Sequence, residues 1–184
     1  MKSAFIFVSC LLLQSFSFAT PPLTHLEGLD LVNNKSLKVD VASSNKGTVL
    51  VFLSAKCPCS ASHEDLLNKL STEFKEFSFV GIHSNADESI KDSSVHFESA
   101  HLNFPILQDN KSTWANHLGA LKTPHAFVLN SKGEILYQGG VTDSHVGPSS
   151  KRQFLKEVLD DIQNGKTPRI KEGRALGCFI QREE

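Results

Sequence analysis

Residues 48–60 read TVLVFLSAKCPCS. The first six of them are apolar or β-branched, which is typical of a strand covered on both faces. Apolar residues then recur at helical spacing over residues 66–74, and this predicts a helix that opens near Ser60. A buried strand followed at once by a helix indicates an α/β domain.

The alternation of strands and helices continues on both sides of this unit. We predict an N-terminal hairpin (29–32 and 37–41), a second buried strand (77–82), a helix (87–102), a short strand (104–107), a short helix (112–118), a second hairpin (126–129 and 134–137) and a last helix (154–162). Residues 150–153 match a capping box for that last helix, and Gly165 fits its C′ position. This order predicts a mainly parallel sheet with helices on both faces, finished by an antiparallel hairpin.

Composition excludes several classes of protein. The 184 residues are 40% apolar and 21% charged, which fits one globular domain with its own core. The net charge is −1 and basic residues never run beyond two in a row, so nucleic acid is not an expected partner.

The N-terminus has the features of an export signal. Lys2 precedes an apolar run over residues 4–13, and small residues precede a cleavage point after Ala19. The run is too short to cross a bilayer, although a buried N-terminal helix is an alternative. We predict that residues 1–19, with Cys10, are removed and that the protein is periplasmic or secreted, with no membrane span after cleavage.

Three cysteines then stay in the mature chain, an odd number for an oxidising compartment. Cys57 and Cys59 lie between the buried strand and its helix. Backbone N–H groups and the helix dipole favour a thiolate there, although two small residues in a helix cap would look the same. Pro124 opens a later apolar run, so its peptide bond is a candidate cis bond or an ordinary trans start to a strand.

Four segments resemble secreted bacterial redoxin-domain proteins, thioredoxin-like proteins related to the alkyl hydroperoxide reductase and thiol-specific antioxidant group. They are Cys57-Pro58, residues 81–85 (GIHSN), residues 123–140 (TPHAFVLNSKGEILYQGG) and residues 177–180 (GCFI). The resemblance covers about residues 26–182. It implies a thioredoxin fold, a central mixed sheet flanked by helices, with an N-terminal β-hairpin and a C-terminal Cys-bearing tail.

On this resemblance we divide the chain into a signal peptide (1–19), a thioredoxin-like redoxin domain (26–165) and a C-terminal tail (166–184). The stretch 166–174 (KTPRIKEGR) is of mixed charge and punctuated by Gly and Pro, so it is expected to be a solvated linker that carries Cys178 toward the body.

The resemblance also implies that Cys57 is the exposed thiol of the active-site loop and that Pro124 is the cis-proline facing it. A Cys-x-x-Cys motif would place its second thiol at position 60, which is Ser60. Cys59 would close a very small, strained ring with Cys57. Cys178, on a flexible tail, could instead fold back to resolve a disulfide or sulfenic acid, or it could be an unpaired tail thiol.

The expected function is that of an exported thiol–disulfide oxidoreductase with protein dithiol or disulfide partners and no organic cofactor. Its catalytic residues are Cys57, Cys59, Cys178 and Pro124.

A thiol peroxidase is one alternative. The peroxiredoxin pattern has Pro seven residues and Thr three residues before the reactive Cys. Leu50 and Ser54 stand at those positions, and all four arginines come late in the chain, so this activity is disfavoured.

A second alternative is a copper-binding protein of the Sco type, because thiolates select Cu(I). His125 could face the thiols, and His63 could lie one helical turn beyond Cys59. Sco cysteines are separated by three residues, however, and here one residue separates them. A copper ion stays an alternative partner.

Overall fold

A seven-stranded sheet organises the chain. The computed structural model describes residues 21–182, so the predicted signal peptide and Cys10 lie outside the described residues. The strands are β1 (His25–Asp30), β2 (Lys35–Asp40), β3 (Gly47–Leu53), β4 (Phe77–His83), β5 (Ile106–Gln108), β6 (Lys122–Thr123), β7 (His125–Leu129), β8 (Ile135–Gly139) and β9 (Cys178–Phe179). The helices are α1 (Pro58–Ala61), α2 (Glu64–Glu73), α3 (Ile90–Ser99), α4 (Thr113–Leu118) and α5 (Phe154–Gln163).

The sheet is mixed, in the order β2-β1-β5-β4-β3-β7-β8, while β6 and β9 form a separate pair. Strands β3, β4 and β5 are parallel to their neighbours in this group. The two hairpins add antiparallel strands at both sides. The prediction of a mainly parallel sheet is therefore wrong, because the N-terminal hairpin joins β5 in the antiparallel sense. The predicted central mixed sheet flanked by helices is confirmed.

Strand β3 lies inside the sheet, between β4 and β7, and every one of its residues is buried. Val49, Val51 and Leu53 face a core shared with helices α2 and α5. Leu50 and Phe52 face a second core shared with helix α4 and the C-terminal Ile180. The prediction of a strand covered on both faces is confirmed.

Two details of the predicted helices are corrected. The helix expected from near Ser60 is broken between α1 and α2 at residues 62–63. No capping box forms before α5, because the helix begins at Phe154 and Ser150 instead ends the short 3-10 turn Gly147–Ser149. Gly165 follows α5 with φ of +71°, as its C′ assignment requires.

The C-terminal tail lies along the edge of the domain. The backbone around Gln138 of β8 exchanges hydrogen bonds with Lys171 and Gly173. A side chain at Gly173 would collide with Tyr137, so the close approach requires glycine. Residues 166–174, expected to be a solvated linker, thus keep mostly exposed side chains but have a docked backbone.

Candidate active site

Cys57 lies at the junction between β3 and α1. It occupies the N-cap position, and Pro58 takes the first helical position, where a missing N–H does no harm. The resemblance implied an exposed thiol, whereas the residue is only 2% exposed. Thr123 and Cys178 lie against it, which explains the burial.

The loop before β7 faces Cys57. The Thr123–Pro124 peptide bond is cis, so the predicted cis isomer is present. The carbonyl oxygen of Thr123 accepts a hydrogen bond from the Cys57 thiol, with 3.2 Å between oxygen and sulfur. The structure thus brings together Cys57 and the segment 123–124, which are far apart in sequence.

The tail delivers Cys178 to the same place. Strand β9 runs antiparallel to β6, and Cys178 lies opposite Thr123 in this ladder. The pairing continues where the N–H of Ile180 donates to the carbonyl of Leu121, and Ile180 is buried in the core. Cys178 itself is exposed, and its side chain lies close enough to Cys57 to affect the pKa of that thiol.

These contacts set the ionisation of the three thiols. Burial raises the pKa of Cys57, but hydrogen bonds from the side chains of Cys178 and Thr123 and from the backbone N–H groups of Cys178 and Ser60 outweigh it, so the pKa lies below its ordinary value. The hydrogen bond to Cys57, together with burial, raises the pKa of Cys178 to about 12. Burial and the Cys57 charge raise the pKa of Cys59. Of the three thiols, Cys57 therefore loses its proton most readily.

Cys59 is half-buried, and both Cys57 and Cys178 lie close enough to affect its pKa. Its sulfur lies 3.8 Å from the Nδ1 atom of His145, in the loop after β8. His145 is a neighbour that sequence reasoning missed, because 86 residues separate the two. The polar partner of the Cys59 thiol is thus the His145 ring.

A buried network of hydrogen bonds supports the loop that carries Cys57. The hydroxyl of Ser54 accepts a hydrogen bond from the Cys57 N–H at 3.0 Å and donates to the Glu88 carboxylate. Glu88 also accepts from the N–H of Ala55 at 2.8 Å and contacts Nε2 of His83 at 3.1 Å. The Glu88 side chain is 2% exposed.

Hydrogen bonds to the Glu88 carboxylate compensate for the burial of its negative charge. Burial raises the pKa of Glu88, but hydrogen bonds from His83 and Ser54 outweigh it and keep the pKa below its ordinary value. Sequence reasoning noted Ser54 and the 81–85 segment separately and missed Glu88. The residues next to Glu88 in sequence give no indication that the loop after β4 turns this carboxylate into the protein.

The two histidines considered as copper ligands are engaged elsewhere. His63 hydrogen-bonds the Cys59 carbonyl at 2.7 Å and the Thr142 hydroxyl at 2.8 Å. His125 packs on the ring of Phe127, with centroids 4.5 Å apart, and burial lowers its pKa to about 4. Within residues 21–182, no group of three or more His, Cys, Asp or Glu side chains is arranged to hold a metal ion.

The peroxidase alternative lacks a guanidinium partner for Cys57 in the described part of the chain. The arginine side chains that form hydrogen bonds there contact Glu157, Asp161 and the carbonyl oxygen of Ala120. None of these contacts reaches the thiol. Ser54 does lie beside Cys57, but its hydroxyl bonds to the backbone and to Glu88.

A family model described as a domain of unknown function, DUF6436, matches residues 28–182. The chain belongs to this family. The matched DUF6436 region includes all three thiols and the cis-proline, so the tail that carries Cys178 is part of the family pattern. No curated protein sequence matches the chain.

Solved structures share the fold of this DUF6436 protein. An uncharacterized conserved protein from Geobacillus kaustophilus superposes with a TM-score of 0.77 at 22% identity, over 90% of each chain. A hypothetical protein from Sinorhizobium meliloti gives 0.78 at 19% identity, over 92% of this chain and 97% of that one.

The thioredoxin domain of a thiol-disulfide oxidoreductase from Bacteroides vulgatus gives a TM-score of 0.52 at 18% identity, over 65% of this chain and 86% of that one. The DUF6436 protein thus has a thioredoxin-like fold, as the sequence resemblance implied. The described residues contain no helix that is long and apolar enough to cross a membrane.

Proposed function

We propose that this protein is an exported thiol–disulfide oxidoreductase whose redox-active pair is Cys57 and Cys178. One observation carries the proposal: the β9–β6 ladder holds Cys178 opposite Thr123, whose carbonyl contacts the Cys57 sulfur. A thiol pair brought together by backbone pairing can close a disulfide without a large rearrangement of the chain.

The two thiols have different roles in this cycle. When the reduced pair loses one proton, Cys57 becomes the thiolate and Cys178 donates a hydrogen bond to it. Oxidation then joins the two sulfurs and gives two electrons to a partner disulfide, which takes up the Cys178 proton and one proton from solvent to become a dithiol. Reduction by a partner dithiol reverses these changes. Pro124 contributes by positioning the Thr123 carbonyl.

Cys59 is the alternative partner for Cys57. A Cys57–Cys59 bridge would close a ring across the single residue Pro58, which is a strained connection. A Cys57–Cys178 bridge joins distant parts of the chain and avoids this small ring. The strain of the small ring therefore favours Cys178.

A disulfide map of the oxidised protein tests the proposal. After oxidation with diamide, free thiols are alkylated and non-reduced peptides are analysed by mass spectrometry. We expect a Cys57–Cys178 cross-link in the wild type and in Cys59→Ser, and none in Cys57→Ser or Cys178→Ser. A Cys57–Cys59 link would reassign the second thiol. Three thiols that stay free after oxidation would overturn the function.

Export is part of the proposal and rests on the predicted signal peptide at residues 1–19. Expression of the full-length chain in a Gram-negative host, followed by cell fractionation and N-terminal analysis, tests it. We expect a product in the periplasm or medium that begins at Thr20. An uncleaved chain in the cytoplasmic fraction would contradict export without affecting the redox pair.

A further inference from the structure

Strand β9 of the C-terminal tail covers the hydrogen-bonding edge of β6, the segment just before the cis-proline. Lys122 and Thr123 pair with Phe179 and Cys178, so their backbone polar groups in this ladder are taken by the protein's own strand. The tail continues past the ladder, where the Gln181 carbonyl accepts from the N–H of Ala86. An extended partner chain could use the same edge only after displacing β9.

Accessibility differs sharply between the two sulfurs of the proposed pair. Cys57 is 2% exposed, and Thr123 and Cys178 lie against it. Cys178 is exposed, and the neighbouring Phe179 and Leu121 are 63% and 59% exposed. Large apolar side chains at such exposure favour contact with another protein surface. An incoming sulfur therefore meets Cys178 before it can meet Cys57.

We propose that the partner protein exchanges disulfides at Cys178, and that Cys57 exchanges only with Cys178. Strand β9 then carries the exposed thiol through which the partner and the buried Cys57 exchange electrons. The partner is a protein whose dithiol or disulfide lies beside apolar side chains that can contact Phe179 and Leu121. This inference rests on the proposed Cys57–Cys178 pair.

The steps balance for reduction by a partner dithiol. One partner thiolate attacks the Cys178 sulfur, a partner–Cys178 bond forms, and the Cys57–Cys178 bond breaks with Cys57 leaving as a thiolate. The second partner thiol then loses its proton and attacks the partner sulfur of the mixed disulfide. Cys178 leaves and takes up a proton. The partner ends as a disulfide, and two electrons have passed to the protein.

Attack at Cys178 also has the better leaving group. In the mixed disulfide Cys178 carries no S–H, but the backbone N–H groups of Cys178 and Ser60 still stabilise Cys57 as it departs. A thiol with a lower pKa leaves faster, and access decides which sulfur is attacked. Attack at Cys57 would require the attacking thiolate to enter a buried position.

The position of a trapped mixed disulfide tests the inference. Oxidised Cys59→Ser protein, in which Cys57 and Cys178 are the thiols of the bridge, is treated briefly with glutathione, quenched in acid and digested. Mass spectrometry then locates the glutathione. We expect it on Cys178 in excess over Cys57 by roughly tenfold or more, because both access and leaving-group ability favour that sulfur. Wild-type protein treated in the same way controls for the substitution.

The outcomes separate the inference from the proposed function. Glutathione mainly on Cys57 would overturn the inference and leave the redox pair intact, since the starting bridge had formed. A wild-type bridge between Cys57 and Cys59 would overturn the inference but keep an oxidoreductase. If oxidation forms no bridge at all, both the function and the inference are wrong.

Discussion

The hydrogen bonds around Glu88 predict how much this one carboxylate contributes to stability. Its two oxygens accept from Ser54 and Ala55 and contact His83, all in a position closed to solvent. In Glu88→Gln, one oxygen becomes an NH₂ group of nearly the same shape. At least one bond to a charged acceptor is then lost, and such a bond contributes about 1.5–3 kcal/mol. We expect the free energy of unfolding to fall by that amount at pH 7.

The pH dependence of this difference identifies the charge as the cause. The pKa of Glu88 in the folded protein lies below its ordinary value of 4.5. The stabilisation by the carboxylate is therefore complete above pH 4.5 and is lost as the pH falls through the folded-state pKa. Once Glu88 is protonated it resembles the amide, so the wild type and Glu88→Gln should converge in stability at low pH.

Urea unfolding followed by the fluorescence of Trp114, the single tryptophan, measures both quantities. Unfolding curves are recorded at pH 7 and at steps down to the lowest pH where both proteins fold. Glu98→Gln, on the exposed surface of α3, is the matched control and should change the free energy of unfolding by less than about 0.5 kcal/mol. The reasoning is refuted if Glu88→Gln matches this control at pH 7, or if its deficit persists unchanged in acid.

Three further predictions concern the thiols and a histidine. Cys178→Ala should raise the pKa of Cys57, because it removes the hydrogen bond from the Cys178 side chain. The absorbance of the thiolate, recorded against pH, measures this pKa. An unchanged titration would contradict the contact between Cys57 and Cys178. Gly177→Ala should undock the tail, because the new Cβ would lie 1.9 Å from the Thr123 carbonyl oxygen; Cys57 should then react faster with a bulky maleimide, and equal rates would argue against a covering tail. The His125 ring should titrate near pH 4 in NMR spectra, because burial disfavours its charged form, whereas a titration above pH 6 would show that the ring is solvated.

Local patterns predicted most of the secondary structure. Strand β3, the hairpin of β7 and β8 and helix α5 follow the predicted segments, because continuous apolar runs and helical periodicity reflect burial directly. The boundaries moved where a short turn intervened, as between α1 and α2. The antiparallel pairing of the N-terminal hairpin with β5 escaped prediction, since a hairpin carries no local sign of the strand beside which it will lie.

The sequence by itself determined the thioredoxin-like class, the position of Cys57 before a helix and the candidate cis peptide bond at Pro124. Each depends on neighbours within a few residues, and local backbone preferences suffice to indicate it. Only the tertiary structure decided which thiol meets Cys57, how deeply Cys57 is buried and that Glu88 supports its loop. Those properties arise from contacts across 33 to 66 residues and from the pairing of β9 with β6. Chain segments so distant come together only when the core closes, so no periodicity within either segment records the contact.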